Sequence, residues 1–523
     1  MYRPFPALRP LQPGLLAGAL LLAAGFRQPS AAQTPTAQSA VIEVKTHQGR
    51  LQGIREANLC VFRGIPYAQA PVGGRRFRPP QPLPRWQGPR AATGFGPKAT
   101  QAGGPAGVQG QEDCLYLNVW APAWSATAKR PPARPVVVWV HGGAFTGGSG
   151  EENDTWTFAA QDSIVAVSLN YRLGSLGFLQ APAAWGPAYA QAGNCGLLDA
   201  VAALRWVQAN IRAFGGDPRR VTVMGESAGA KLVGALLAAP AAEGLFQRVI
   251  LESGAVQAIR DTATAGAVSR QLRRALPAGT DLRTAPAEAL VRAQLTFASG
   301  AGGLQVFGPV LDGRTLPQPP LRYLRRARPR PVLLGTNREE AGLFTGPGSA
   351  IAEPNEAALQ LVFGQNGARV WQAYQRAQQQ AVPDAWNRTL TDYLYRLATY
   401  RLADSLAAAG APVWLYRFDG PGGAQRPVHA QELAYVWNAP AGASAAAPAA
   451  AAPGAPRKTA DATLAAAMHA RWARFIKTGQ PGPDWPAYTP ANQQAMIFGP
   501  AIGPAPASDA YQDPTFPTQA YRR

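Results

Sequence analysis

Ser227 stands in a sequence pattern that can turn a serine hydroxyl into a nucleophile. The pattern is GESAG at residues 225–229, which follows an apolar run at 221–224 and opens a predicted helix at 228–239. A sharp turn between a strand and a helix needs small residues on both sides of the serine, and it exposes the hydroxyl. The helix N-terminus behind the serine favours developing negative charge. This context predicts covalent chemistry at Ser227.

A second motif could stabilise the charge that such an attack creates. It is HGGAF at residues 141–145, directly after the apolar run 136–140. A glycine-rich loop at a strand end can aim backbone N–H groups at a substrate oxyanion, more rigidly than side-chain donors can. We therefore expect this loop to form part of an oxyanion hole.

A nucleophilic serine needs a base, and the chain has four histidines. His47 is expected in an edge strand, and His141 belongs to the glycine-rich loop. His469 falls in a predicted helix, 460–475, and is expected at the surface or in packing, whereas His429 follows a predicted strand in a loop. The chain order of α/β hydrolases is serine, acid, histidine, which leaves the last two as candidates. The loop position favours His429.

The acid must lie between the serine and the base, near a strand end. Glu339 and Glu340 follow the predicted strand 331–335 and satisfy that order. A carboxylate in this place would orient the imidazole and stabilise its cation. Because both residues are glutamates, residue type cannot distinguish between them as the acid. The plainer interpretation is that both are solvated loop carboxylates.

Buried strands must carry these residues. Several apolar runs show no alternation, which favours strands buried on both faces by helices; they are residues 115–120, 136–140, 164–169 and 248–251. Helical spacing over 197–214 ends at two glycines. The alternation of strand and helix predicts an α/β fold with a mostly parallel central sheet, and the segments 258–330 and 345–428 are expected to be helical cap insertions.

Composition narrows the function class. With 523 residues, 47% hydrophobic and 15% charged, the chain is too apolar to be disordered. The net charge of +20 comes from scattered arginines without a nucleic-acid-binding motif, so we expect no nucleic-acid partner. A merely basic surface is the plainer interpretation of this charge, and electrostatic steering of anions is the alternative. Three cysteines without a cysteine–histidine cluster suggest neither a metal nor a disulfide framework.

The N-terminus has the pattern of an export signal. Arg3 and Arg9 precede an apolar run at 14–26, and small residues at 30–32 would suit cleavage. Thirteen apolar residues are too few to span a bilayer. The sequence predicts a signal peptide at 1–32 and one domain at 33–523, secreted or periplasmic, with no membrane anchor. Within that domain, the Ala- and Pro-rich segment 439–456 is expected to form a low-complexity loop.

Further motifs carry a family resemblance that runs from about residue 41 to about 500. They are FRGIPYA at 62–68, EDCLYLN at 112–118, NYRL at 170–173, GNCGLLD at 193–199 and FGGDP at 214–218. With the two motifs above, the chain resembles the type-B carboxylesterase (carboxylesterase/cholinesterase) family, in its bacterial secreted form. The resemblance implies an α/β-hydrolase fold and an esterase that cleaves small-molecule esters through an acyl-enzyme, without a cofactor or metal.

The same resemblance assigns roles to individual residues. It implies a catalytic triad of Ser227, Glu340 and His429. The oxyanion hole is implied to consist of the backbone amides of Gly143, Ala144 and Ala228. Three alternatives stay open: an amidase or polyester hydrolase on the same triad, a non-catalytic relative, and a basic carrier protein.

The sequence departs from the family pattern in two places. The family usually pairs the cysteine of its EDCL motif with one about twenty residues upstream, but residues 96–101 contain none, so Cys114 is expected to lack that bridge. Cholinesterases place a tryptophan for the choline cation before this motif. Residues 102–111 hold no aromatic side chain, which makes a choline ester a poor candidate substrate.

Overall fold

The computed structural model describes residues 41–124, 133–298, 303–349, 351–423, 426–439 and 461–507. The predicted signal peptide at 1–32 lies outside the described residues, and so does all but the first residue of the low-complexity segment 439–456. None of the helices in the described ranges has the length and apolar character needed to cross a bilayer.

Strands and helices alternate through the central part of the chain. The strands are β1 (Val41–Lys45), β2 (Arg50–Glu56), β3 (Leu59–Pro66), β4 (Pro89–Ala91), β5 (Gln101–Ala102), β6 (Val108–Gln109), β7 (Tyr116–Pro122), β8 (Arg134–Val140), β9 (Val165–Leu169), β10 (Gly216–Glu226), β11 (Arg248–Glu252), β12 (Arg260–Asp261), β13 (Val310–Leu311), β14 (Val332–Asn337), β15 (Val413–Phe418), β16 (Gln494–Phe498) and β17 (Ile502–Pro506). The helices are α1 (Trp156–Asp162), α2 (Gly174–Phe178), α3 (Cys195–Asn210), α4 (Ala228–Leu237), α5 (Thr262–Arg274), α6 (Ala287–Leu295), α7 (Pro320–Leu324), α8 (Glu356–Phe363), α9 (Gly367–Gln379), α10 (Ala385–Thr391), α11 (Leu397–Ala408), α12 (Leu433–Trp437) and α13 (Ala462–Thr478).

One large sheet organises the fold. Its order is β1-β2-β3-β7-β9-β8-β10-β11-β14-β15-β16-β17, with β4 paired to β2. The seven strands from β9 to β16 in that order pair in parallel, and the strands outside them mostly pair antiparallel. The predicted α/β class with a mostly parallel central sheet is confirmed. Since parallel strands end at one edge of a sheet, the loops after β8, β10, β14 and β15 meet there.

Apolar runs without alternation arise because this sheet is covered on both faces. Along β8, Val136, Val138 and Val140 pack into a core with α3 and α4, whereas Val137 and Trp139 pack into a second core with α1 and α13. Neighbouring residues of a strand point to opposite faces, so both sets must be apolar. The central strands are therefore held from both sides, and their carboxyl ends are fixed in place.

The two segments expected as helical insertions contain α5 to α7 and α8 to α11. Helices α8 to α10 share a core of their own, which includes Leu359, Val370, Trp386 and Leu390. The sequence analysis did not predict β16 and β17 at one end of the sheet. Strand β17 reads IGPAP, and prolines and glycine are unfavourable in strands.

A buried ion pair joins two of the sequence motifs. Arg172 of NYRL donates from Nε and Nη2 to the two carboxylate oxygens of Asp199 of GNCGLLD, at 2.8 and 2.7 Å. The side chains are 4% and 0% exposed. This contact fixes the loop after β9 against α3, so these motifs have a structural explanation.

Asp199→Asn should destabilise the protein by about 3–5 kcal/mol, because it leaves the guanidinium of Arg172 buried without its counter-charge. The matched control is Glu43→Gln, which removes a carboxylate from the exposed pair with Arg50 and should cost about 0–1 kcal/mol. Urea unfolding followed by tryptophan fluorescence measures both changes. Equal shifts in the two variants would contradict a special role for the buried pair.

Candidate active site

Ser227 occupies the turn between β10 and α4. Its backbone has φ 53° and ψ −119°, a conformation that costs free energy for any residue with a side chain. Two backbone hydrogen bonds hold it there: Ser227 N donates to Glu252 O at 2.9 Å, and Lys231 N donates to Ser227 O at 3.0 Å. The hydroxyl is thereby presented beyond the strand end, as the sequence predicts.

Close backbone packing explains the small residues around the serine. A Cβ atom on Gly225 would lie 2.6 Å from the carbonyl carbon of Gly229, and a Cβ on Gly229 would collide with the carbonyl oxygen of Val140. Helix α4 can therefore lie directly against β10 and β8 only with glycine at these places. A Cβ on Gly142 would stand 3.3 Å from Ser227 Cβ, so the HGGAF loop runs close beside the serine.

His429 and Glu340 meet Ser227 in a chain of hydrogen bonds. His429 Nε2 lies 2.8 Å from Ser227 Oγ, and His429 Nδ1 lies 2.6 Å from Glu340 Oε2. Asn337 N donates to the other oxygen, Glu340 Oε1, at 2.7 Å. Glu340 is fully buried and His429 is 7% exposed. This geometry allows the imidazole to accept the serine proton while the carboxylate fixes the ring.

Glu339, the neighbouring candidate for the acid, points away from the histidine. Its carboxylate pairs with Arg338 at 3.2 Å and with Arg426, and its side chain is 23% exposed. The turn after β14 thus directs one glutamate inward and one outward.

The HGGAF loop has an unusual backbone. Gly143, Ala144 and Phe145 all have positive φ, at 97°, 54° and 61°. The carbonyl of Gly143 is occupied by the amides of Thr146 and Gly147, at 2.9 and 3.0 Å. Within the described residues, the amides of Gly143 and Ala144 donate to no protein group.

Ala228 contributes another amide beside the serine. It is the first residue of α4, where backbone N–H groups have no partner within the helix. Together with the loop amides, this N–H is suited to an oxygen that gains negative charge.

Three further carboxyl groups, which the sequence analysis missed, surround the triad. Glu226 Oε1 lies 3.1 Å from His429 Nε2. Glu432 contacts Asn337 Nδ2 and accepts from Ser253 Oγ at 3.3 Å, and Glu252 accepts from Trp472 Nε1 at 2.8 Å.

Burial decides the charge of these three groups. Burial first, and then the neighbouring carboxylates, raise the pKa of Glu226 well above its usual range, and the same causes raise that of Glu252. Burial and the nearby Glu340 raise the pKa of Glu432 to about 8. At pH 7 Glu432 is therefore mostly protonated, and burial favours the protonated form of Glu226 and Glu252 as well.

Aromatic and cationic side chains complete the surroundings of His429. The rings of Phe344 and Tyr395 lie 5.3 and 4.6 Å from the imidazole, centroid to centroid. Lys231 Nζ lies 5.1 Å from the Tyr395 ring centroid. Phe344 and Tyr395 belong to segments without a recognisable motif, and only the fold brings them close to His429 and Lys231.

The other histidines lie elsewhere. His141 stacks on Tyr171, and burial lowers its pKa to about 4, so it is neutral. His469 is buried between Val436 O and Asp162 Oδ2, each 2.7 Å away, which fits a packing role.

The expectation that His47 lies in an edge strand is wrong. Strand β1 ends at Lys45, and His47 lies in the bend before β2. The bend forms because Thr46 donates from its amide and its hydroxyl to Gly49 O, at 2.9 and 2.8 Å.

The three cysteines, Cys60, Cys114 and Cys195, are free and buried. Burial raises the pKa of Cys195 to about 12, so this thiol is unreactive. In the described ranges, no cluster of three or more His, Cys, Asp or Glu side chains could hold a metal ion.

The chain is similar to known proteins over most of its length. A model of the carboxylesterase family matches residues 40–503. The para-nitrobenzyl esterase of Bacillus subtilis is 37% identical over 489 residues, which cover 87% of this chain and 94% of that one. The fumonisin B1 esterase of Sphingopyxis macrogoltabida is 36% identical over 483 residues, 88% and 86% of the two chains.

Solved structures match over a similar length. A carboxylesterase of Geobacillus stearothermophilus superposes with a TM-score of 0.75 at 37% identity, and the match covers 88% of this chain and 97% of that one. A solved para-nitrobenzyl esterase superposes with a TM-score of 0.75 at 33% identity, and the match covers 90% and 99% of the two chains.

Proposed function

The chain belongs to the carboxylesterase family and is a carboxylic-ester hydrolase with the α/β-hydrolase fold, and from this premise we propose that it works through an acyl-enzyme on Ser227. The observation that carries the proposal is the hydrogen-bonded chain from Ser227 Oγ through His429 to Glu340. A nucleophile, a base and an orienting acid within hydrogen-bond reach are the parts that acyl transfer requires.

Acylation begins when Ser227 Oγ attacks the ester carbonyl carbon and His429 Nε2 takes the hydroxyl proton. Glu340 holds the imidazole through Nδ1, so that Nε2 stays free to accept this proton, and its charge stabilises the imidazolium. The C–O bond to the alcohol then breaks, and His429 returns the proton to the leaving oxygen. The alcohol departs and the acyl group remains on Ser227.

The negative oxygen of the tetrahedral intermediate is bound by the amides of Gly143, Ala144 and Ala228. Two observations support this assignment: the loop runs close beside Ser227, and the amides of Gly143 and Ala144 donate to no acceptor among the described residues. Fixed backbone donors need no reorganisation as the charge develops. Water, deprotonated by His429, then attacks the acyl carbon and releases the acid, so the cycle uses no cofactor.

Export is a further part of the proposal. The predicted signal peptide at residues 1–32 supports a mature enzyme that is secreted or periplasmic.

A fluorophosphonate probe should label the wild-type protein at one site, Ser227. The serine oxygen forms a bond to phosphorus while the P–F bond breaks and fluoride leaves, which imitates the first step of ester attack. Mass spectrometry of the digested protein locates the adduct. A stoichiometric burst of 4-nitrophenol from an aryl ester would give independent support for the acyl-enzyme. An adduct confined to another residue would overturn the proposal.

A further inference from the structure

Lys231 is a buried cation beside the candidate active site, and no described carboxylate forms an ion pair with it. It lies on α4, one helical turn after Ser227, and is 3% exposed. Within the described part of the chain, its Nζ makes no hydrogen bond and no ion pair, and it lies over the face of the Tyr395 ring, 5.1 Å from the centroid. Buried lysines are rare unless paired, so this ammonium calls for an explanation.

Tyr395 is a second buried polar group in the same place. It is 2% exposed, its ring lies 4.6 Å from that of His429, and among the described residues its hydroxyl has no hydrogen-bond partner. Burial raises the pKa of this hydroxyl well above its usual range, so it remains a donor. It belongs to a π-helical turn, Asp392–Arg396, a distortion frequent at functional sites. Among the residues that the structure describes, these two donors near the base thus have no acceptor.

The nearby carboxyls do not account for the ammonium. Glu226 and Glu340 act on Lys231 electrostatically, but neither carboxylate lies within 4 Å of Nζ. Burial raises the pKa of Glu226, which favours its neutral form and weakens its attraction for the ammonium. Glu340 already accepts from Asn337 N and contacts His429 Nδ1. The positive charge of Lys231 is therefore available to a ligand.

We propose that Lys231 and Tyr395 bind a carboxylate carried by the ester substrate, so that the enzyme prefers esters with a free carboxylate near the scissile bond. An ammonium and a phenol hydroxyl together offer the donors and the charge that a carboxylate requires. The inference rests on the proposed function, since it places the subsite beside His429 and Ser227. It assigns the preference for anionic esters to this buried site, with the charge of Lys231, and not to the arginine-rich surface.

The pH dependence of the preference for a carboxylate distinguishes an effect of Lys231 from an effect of the surface arginines. Burial lowers the pKa of Lys231 to about 8, against the opposing effect of Glu226 and Glu340. The ammonium is charged below that value and lost above it, so the preference for a carboxylate should fade as the pH rises through about 8. Surface arginines keep their charge throughout this range. Glu432 also titrates near pH 8 and gains a negative charge, so a lysine variant is needed to tell the two groups apart.

The experiment measures a ratio of kcat/KM values between esters that differ in one charge. The first pair is 4-nitrophenyl hemiglutarate and 4-nitrophenyl methyl glutarate, with the charge on the acyl side. The second is 4-acetoxybenzoate and methyl 4-acetoxybenzoate, with the charge on the alcohol side. Salt of about 0.3 M shortens the range of surface charges to below about 10 Å. The wild type should favour the carboxylate in at least one pair by about 10- to 100-fold at pH 7.

Lys231→Met should bring that ratio close to one and remove its decline with pH. Lys45→Met, which removes the same charge from the exposed end of β1, should keep the wild-type ratio. Tyr395→Phe retains the ring beside His429 and should lower the ratio severalfold, which also tests the subsite if Lys231→Met fails to fold.

The proposal is overturned if neither pair shows a preference, or if Lys231→Met lowers both esters of a pair equally. If the preference for the carboxylate still declines with pH in Lys231→Met, the decline arises from Glu432, and this result would also overturn the proposal. Failure of the proposed function has a different signature, because the neutral ester would then not be hydrolysed by the wild type or would still be hydrolysed by Ser227→Ala.

Discussion

Ser227→Ala should lower kcat/KM for a neutral aryl ester by about four to six orders of magnitude and abolish labelling by a fluorophosphonate. The methyl group leaves no oxygen to form the acyl-enzyme, and His429 loses the hydroxyl that lies 2.8 Å from its Nε2. Residual turnover above the rate in water is expected, because backbone amides can still stabilise attack by water. Steady-state kinetics at high enzyme concentration and gel-based labelling measure the two effects.

Ser253→Ala is the matched control for this change. Ser253 is also buried, follows the adjacent strand β11 and has positive φ, at 52°, but its hydroxyl contacts Glu432 and not His429. Its loss should cost less than about tenfold in kcat/KM, the equivalent of one ordinary hydrogen bond. Undiminished labelling of Ser227→Ala would show that the nucleophile is another residue. Equal losses in the two variants would indicate a general effect of removing buried hydroxyls.

The sequence predicted those parts of the site that depend on local structure. Ser227 and the HGGAF loop each follow a strand that its apolar run identifies, and the structure places both at the carboxyl edge of the sheet, close to each other. His429 was favoured by chain order and by its loop position. Between Glu339 and Glu340, residue types gave no choice, because the direction of each side chain depends on the turn after β14 and not on composition.

The remainder of the site depends on contacts that no local pattern encodes. Glu432 reaches Asn337 across 95 residues of chain, and Trp472 reaches Glu252 across 220. The sequence did not indicate that Lys231 is buried. It lies in the apolar helix α4, and its burial follows from the packing of that helix and not from its own residue type. These partners become visible only when the order of the strands is known.

Glu340→Gln should lower kcat by roughly a hundredfold or more, up to about ten-thousandfold. Glu340 receives two donors, one on each oxygen: Asn337 N at 2.7 Å and His429 Nδ1 at 2.6 Å. Glutamine has one acceptor oxygen, so its NH₂ group must face one of these donors. If it faces the histidine, the ring adopts the tautomer with a proton on Nε2, which cannot accept the serine proton. If it faces Asn337, a buried amide loses its acceptor and the imidazolium still lacks a counter-charge.

Glu339→Gln provides the comparison one residue away. Its carboxylate pairs with Arg338 and Arg426 at a partly exposed position, where such pairs contribute about 0–1 kcal/mol, so kcat should change by less than about threefold. Both variants keep the side-chain volume and remove one negative charge, which makes distance from His429 the main difference. The measurement is kcat for a neutral aryl ester, with urea unfolding to verify that both variants are folded. A larger loss in Glu339→Gln would show that the acid is Glu339 and not Glu340. Losses in the expected order tie the catalytic effect to the buried carboxylate that contacts Nδ1.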